Sequence, residues 1–297
     1  MEALNYLRKA AESLSWKWAG IFKKEFPLDV SHCALILKTA KESQKFILPQ
    51  GGRIFDDNFR GLPDELRLPF PSIMIEYRAS TFANGIVDQL FDNTIPATKR
   101  IVVAVQNGVW INIYSIHSSV LNVEEVWTMQ PWFAEISKEF TGKTENPPEM
   151  IAGMINADTV QGVAVDLHPT GTMADAKYGP GWRKNAYYDL MDEINAVLSL
   201  IEALSCSNVS HELLPARHRN KSARRRGTLP FDDYRVLVIK SAHEAGRPGV
   251  GGAHNSPREH LRRGHIRRLP GKKIWVQSCV VNAGIGAKVS KQYEVRA

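Results

Sequence analysis

Cysteine is scarce: the chain has three in 297 residues, Cys33, Cys206 and Cys279, and none belongs to a Cys-x-x-Cys pair. An odd number of widely spaced thiols argues against a disulfide framework, and the missing pairs argue against a structural zinc site. They read as reduced, partly buried thiols. Long apolar runs are missing too; no stretch approaches the roughly 20 residues of a bilayer-crossing helix. The opening MEALNYLRKAAESLSWKWAG carries acids and bases where a secretory leader has its apolar segment. A soluble, cytoplasmic protein without a membrane partner is the expectation. No internal repeat or low-complexity tract is visible, and no motif implies a cofactor or a metal ion. The glycine-rich stretch 246–252 lacks the Gly-Lys-Ser/Thr ending of a phosphate-binding P-loop.

What is abundant is positive charge, and it is unevenly spread. Residues 217–296 hold 19 Lys and Arg against 5 Asp and Glu, a net of +14. The preceding residues hold 19 and 26, a net of −7. Five of the nine histidines (His218, His243, His254, His260, His265) lie in the basic part. A split of this kind marks a part that meets polyanions joined to a part with other work. Nucleic acid, RNA or DNA, is the leading partner, because clustered Arg and Lys are rewarded by counterion release.

Hydrophobic residues make up 43% of the chain, enough for real cores. The pattern predicts an α+β protein in two parts: a mixed, mildly acidic domain over 1–210 with helices around an antiparallel sheet, and a small basic β-rich module over 217–297. Leu4, Leu7, Ala11, Leu14 and Trp18 recur at helical spacing within 2–25. Residues 72–77, 100–106 and 109–116 read as strands, the last two joined at Asn107-Gly108, a strong hairpin signal. Residues 131–157 look mostly helical, and 160–167 read as a strand. Leu190, Ile194, Val197, Leu198, Ile201 and Leu204 form the apolar stripe of the best helix, 185–204. In the basic part, 234–240, 260–269 and 273–281 read as strands, with a reverse turn at Pro270-Gly271-Lys272; 289–295 could pair at an edge.

The most pointed segment is SPREHLRRGHIRRL, residues 256–269. Read as one strand, it puts Leu261, Arg263, His265 and Arg267 on one face, and His260, Arg262 and Ile266 on the other. Five arginines and two histidines are costly to bury, so one face must be wet or meet an anion. The bland counterpart is a solvated strand whose arginines answer acids of the first domain. Arg224, Arg225, Arg226, Arg262, Arg267, Arg268, Lys272 and Lys273 are the candidate nucleic-acid contacts. A metal-independent ribonuclease needs a proton acceptor, a proton donor and cations at the phosphate, and His260, Arg263, His265 and Tyr293 are the candidates. A helical reading, pairing Arg258 with His265, is opposed by Gly264, which weakens a helix by roughly 1 kcal/mol. Two weaker patterns remain. His117-Ser-Ser119 and His168-Pro-Thr170 fit the His-x-Ser/Thr form of two-histidine phosphoesterases, and Glu76, Asp88 and Asp92 lack the Glu-x-Lys of a metal-dependent nuclease.

HNSPREHLRRGHIRRLPGKKIWV, preceded by NKSARRRGTLPFDDYRVLVI, resembles the C-terminal part of a widespread, uncharacterised family of phage and prophage proteins. The resemblance extends to LPFPSIMIEY at 68–77 and LSCSNV at 204–209. It implies a phage or prophage origin and work on the host bacterium, its nucleic acids or its defences. Taken with the charge, the expected function is a phage-encoded nucleic-acid-binding protein in the service of a nuclease or of an anti-defence role. The competing expectation is a non-enzymatic interaction protein that inhibits a host defence protein or ribonucleoprotein complex.

Overall fold

A computed structural model describes residues 4–17, 30–55, 63–79, 99–121, 124–130, 132–138, 164–169, 182–216, 220–221, 223, 225–226, 230–239, 260–262, 265–276 and 279–281. Its centre is a nine-stranded sheet. The strands are β1 (Gln44–Ile47), β2 (Ser72–Arg78), β3 (Lys99–Asn107), β4 (Trp110–Leu121), β5 (Glu124–Met129), β6 (Trp132–Ser137), β7 (Ala164–Pro169), β8 (Val209–Leu214) and β9 (Tyr234–Ile239). They run in the order β7-β6-β4-β3-β2-β1-β9-β8, and β5 shares the outer edge of the long β4 with β6.

The expected antiparallel sheet is therefore corrected to a mixed one. The four-residue β1 lies parallel to both of its neighbours, β2 and β9, while the other pairings are antiparallel. Helix α2 (Val30–Glu42) feeds β1 directly. Lys45 of β1 turns its ammonium back onto the carbonyls of Lys41 (2.6 Å) and Ser43 (3.3 Å), meeting the negative end of that helix. Residues 234–239, assigned by charge to the basic module, form a strand of this sheet, and a division at 210–217 falls inside the β8–β9 hairpin.

Alternation along the strands feeds two cores. Ile73, Ile75, Tyr77, Val102 and Ala104 pack with Leu190, Ile194, Val197, Leu198 and Ile201 of α3 (Trp182–Leu204). Met74, Ile101, Val103 and Ile116 pack on the opposite face with Leu7, Leu14 and Ile36 of α1 (Tyr6–Lys17) and α2. Each large side chain so removed from water contributes about 1.5–3 kcal/mol, which is why period two in the strands meets period 3.6 in the helices here. The α3 stripe is realised with three residues more at its start. The helix expected over 131–157 is corrected where described: Trp132–Ser137 is β6, whose residues Trp132, Ala134 and Ile136 enter the α3 core. Alternation of that kind belongs to a strand.

The Asn-Gly hairpin is present with a shifted centre. Asn107 pairs with Trp110, so Gly108 and Val109 form the two-residue loop, and Gly108 takes the positive φ (+60°) at its first position. Pro270-Gly271 makes the second such turn: Leu269 pairs with Lys272, and Gly271 has φ +72° behind a proline that fixes its own φ, a type II combination. The single strand expected over 260–269 is two: β10 (His260–Arg262) pairs with β13 (Cys279–Val281), and β11 (His265–Leu269) pairs with β12 (Lys272–Val276). Residues 289–295 lie outside the described residues.

Candidate nucleic-acid interface

The β11–β12 hairpin has two different faces. Cross-strand partners share a face, so Ile266, Trp275, Arg268 and Lys273 stand on one side. His265, Arg267, Leu269, Lys272, Ile274 and Val276 stand on the other. The first side docks. Trp275 packs its ring against Phe55 (centroids 4.9 Å apart), and Asn208 clips the Trp275 backbone, donating to its carbonyl (2.7 Å) and accepting from its N–H (2.8 Å). Ser207 adds donations from its N–H (2.9 Å) and its hydroxyl (3.0 Å) to the Lys273 carbonyl. The LSCSNV segment thus holds the KKIWV backbone through the side chains of Asn208 and Ser207 and one backbone hydrogen bond.

An ion-pair cluster lies beneath. Glu202, on the buried side of α3, is fully buried and accepts from the Lys273 ammonium at 2.9 and 3.1 Å, with Arg268 Nη2 at 3.4 Å from Oε1. Above it, the carboxylate of Asp64 bridges the same two cations, Oδ1 to Arg268 Nη1 at 2.7 Å and Oδ2 to Lys273 Nζ at 2.8 Å. Donation from Lys273 holds the Asp64 carboxyl below the usual carboxylate range, with Arg268 adding to the effect. Beside the cluster a cleft of about 600 Å³ is lined by Arg67, Ser205, Arg268, Lys272, Lys273 and Asp64, among others.

On the outer side of the hairpin the polar residues reach solvent, while Leu269, Ile274 and Val276 are half-buried. His265, Arg267 and Lys272 are exposed there, while Lys273 is buried against Glu202 and Asp64. Arg225 and Arg226 are also exposed. Arg268 is half-exposed and spans both environments. Another cation of the basic part, Arg235, is taken up inside: its Nε donates to Gln44 (2.9 Å) and its guanidinium lies over Phe70. His260 and Arg262 lie in β10, where only the backbone is described, and Arg224, Arg263 and Tyr293 are outside the described residues. The structure therefore brings His265 and Arg267 onto one exposed face, as alternation implies. It gives no geometry for the other expected catalytic groups.

The two other chemical patterns resolve differently. His117 and Arg100 are cross-strand partners on the α3 side of the sheet, whereas His168 stacks on Phe133, which stacks on Tyr114. Residues 114 and 117 differ by an odd number along β4, so the two histidines lie on opposite faces and no two-histidine site forms. Burial, helped by Arg100, pushes the His117 pKa down to about 3, so it is neutral. Glu76 is buried, its Oε1 accepting from the N–H of Leu7 and the hydroxyl of Tyr234, each at 2.8 Å. Asp88 and Asp92 fall outside the described residues.

Glu202, Asp64, Ser207 and Asn208 were not singled out by sequence reasoning. For Glu202 a signal existed: it sits four residues after Leu198 and next to Ile201, inside the apolar period of α3. Glu193 does the same beside Ile194, and there the carboxylate accepts from Arg100 and Ser115, each at 2.8 Å. An acid on a core-facing helical position signals a buried cation partner. Asp64, in a proline-flanked loop, offers no such signal. Comparison with known proteins gives no match for this chain, whether among family models, curated sequences or solved structures.

Proposed function

We propose that this protein binds nucleic acid through the solvent-facing side of the β11–β12 hairpin. The observation that carries the reading is the division of labour between the two faces. Trp275, Lys273 and Arg268 tie one face to the body of the protein, which leaves His265, Arg267 and Lys272 displayed on the other. A cationic face on a two-stranded ribbon held this way needs little ordering when it meets phosphates. The exposed Arg225 and Arg226 extend the basic area. The resemblance to phage and prophage proteins supports a role in a host bacterium, acting on nucleic acid in a nuclease or anti-defence function. His265, with His260 and Tyr293 as acid–base groups and Arg263 as the cation at the phosphate, remains the proposed catalytic set should the protein cleave RNA.

The test is incubation of the full-length protein with labelled RNA and DNA over a salt series, with and without EDTA. Affinity that falls steeply as salt rises supports phosphate contact. Cleavage of RNA that survives EDTA adds a metal-independent ribonuclease. Binding of neither nucleic acid at low salt removes the proposal and favours a protein target.

A further inference from the structure

We propose that Arg268 and Lys273 form a phosphate-binding clamp that Asp64 occupies with its own carboxylate, and that an incoming phosphate oxyanion displaces it. The inference deepens the nucleic-acid reading and rests on it for the source of the phosphate. It adds a second contact region, on the side of the hairpin opposite His265 and Arg267.

The geometry supplies the first argument. Two carboxylate oxygens of Asp64 sit 2.7 Å from Arg268 Nη1 and 2.8 Å from Lys273 Nζ, the spacing a charge-assisted clamp offers to two oxygens of one phosphate. The second argument is the contrast between the two acids that share these cations. Glu202 is fully buried, and removing it would strand buried charge. Asp64 has 69% of its side chain exposed, so its ion pairs are of the surface kind and easily exchanged. Glu202 thus holds the cations in place and Asp64 fills the position in front of them. Such preorganisation lowers the ordering cost of binding.

Surrounding charge favours the exchange. With the Asp64 carboxylate turned away, Arg67, Arg268 and Lys273 line the cleft against Glu65 and the underlying Glu202, with Lys272 at the turn that borders it. The Arg67 side chain is 74% exposed and Glu65 lies 4.0 Å from it, so it can reach a ligand in the cleft. The backbone of Asp64 need not move. Lys138 donates to its carbonyl at 3.2 Å, which anchors the loop while the side chain rotates.

The experiment is calorimetric titration of the full-length protein with inorganic pyrophosphate and, separately, with a short single-stranded oligonucleotide. Asp64→Asn and Asp64→Ser remove the competing charge at an exposed position, and melting curves report whether either variant is still folded. Both should bind pyrophosphate about three- to tenfold more tightly than the unaltered protein, the worth of one or two surface ion pairs. Adding Arg268→Gln to Asp64→Asn should abolish that gain. Folded Asp64 variants with unchanged or weaker pyrophosphate binding would overturn the clamp, as would a gain that survives Arg268→Gln. A pyrophosphate gain without oligonucleotide binding by any variant keeps the clamp and removes the nucleic-acid reading. Oligonucleotide binding that is weakened by Arg267→Ala but indifferent to Asp64→Asn does the reverse.

Discussion

The hydroxyl of Tyr234 donates to the buried carboxyl of Glu76, 158 positions earlier, at 2.8 Å. The same Glu76 oxygen receives the first-turn N–H of Leu7, so one carboxyl joins β2, β9 and the start of α1. Tyr234→Phe should destabilise the protein by about 1–3 kcal/mol, because a buried acceptor loses a donor while the ring still packs. Denaturant titration at fixed pH measures it.

Glu76 also sets a pH dependence. Burial raises its pKa from 4.5 to about 7, so the folded protein keeps this proton longer than the unfolded chain does. The associated stability is complete below pH 4.5 and is lost as pH rises through about 7. Glu76→Gln should flatten the stability profile across that window. Melting temperatures in half-unit pH steps would show it, and an identical slope in both proteins would refute the assignment.

His117 works in the opposite direction. Its folded pKa of about 3 lies below the 6.5 of an exposed imidazole, so its contribution is present above pH 6.5 and lost as pH falls through about 3. His117→Leu should make the protein lose less stability on acidification than the parent does. With Glu76→Gln the comparison separates two slopes that oppose each other between pH 4.5 and 6.5.

The Glu202–Lys273 pair should show strong non-additivity. Glu202→Gln leaves the buried ammonium only the exposed Asp64 as a charge partner and should cost up to about 3–5 kcal/mol, whereas Glu202→Leu combined with Lys273→Met should recover much of the loss. A double-mutant cycle by thermal or urea unfolding measures the coupling.

On the exposed face, Arg267→Ala and Lys272→Ala should leave stability within about 0.5 kcal/mol of the parent. Each should weaken nucleic-acid binding and flatten its salt slope by about one contact. Replacing Arg224, Arg225 and Arg226 together should do so more strongly. Fluorescence anisotropy at several salt concentrations reads both quantities.

Where sequence periodicity is long, it is legible: the α3 stripe emerges from spacing, and the β3–β4 hairpin from Asn-Gly between two β-branched runs. β1 does not, because four residues buried in the middle of a sheet are too few to establish a period. Trp132–Ser137 is not legible as a strand because its apolar residues, taken with the following stretch, fit a helical window as well. The candidate interface divides the same way. Alternation puts His265 and Arg267 on one face, but which face would be wet depended on Glu202 and Asp64, acids 66 or more positions away from Arg268.

The arrangement of β1 has a bearing on how the chain is made. Its partner β9 lies near residue 234, so on a ribosome β1 emerges long before the strand that covers its second side. Until then Phe46 and its neighbours present an unpaired backbone edge in the heart of the future sheet, the kind of edge that captures other strands. A gene product cut short after residue 210 would keep that edge permanently. The charged C-terminal part thereby acts as a seal on the N-terminal part as well as an extension of it. Truncations meant to isolate the acidic half would be expected to aggregate unless residues through Ile239 are retained.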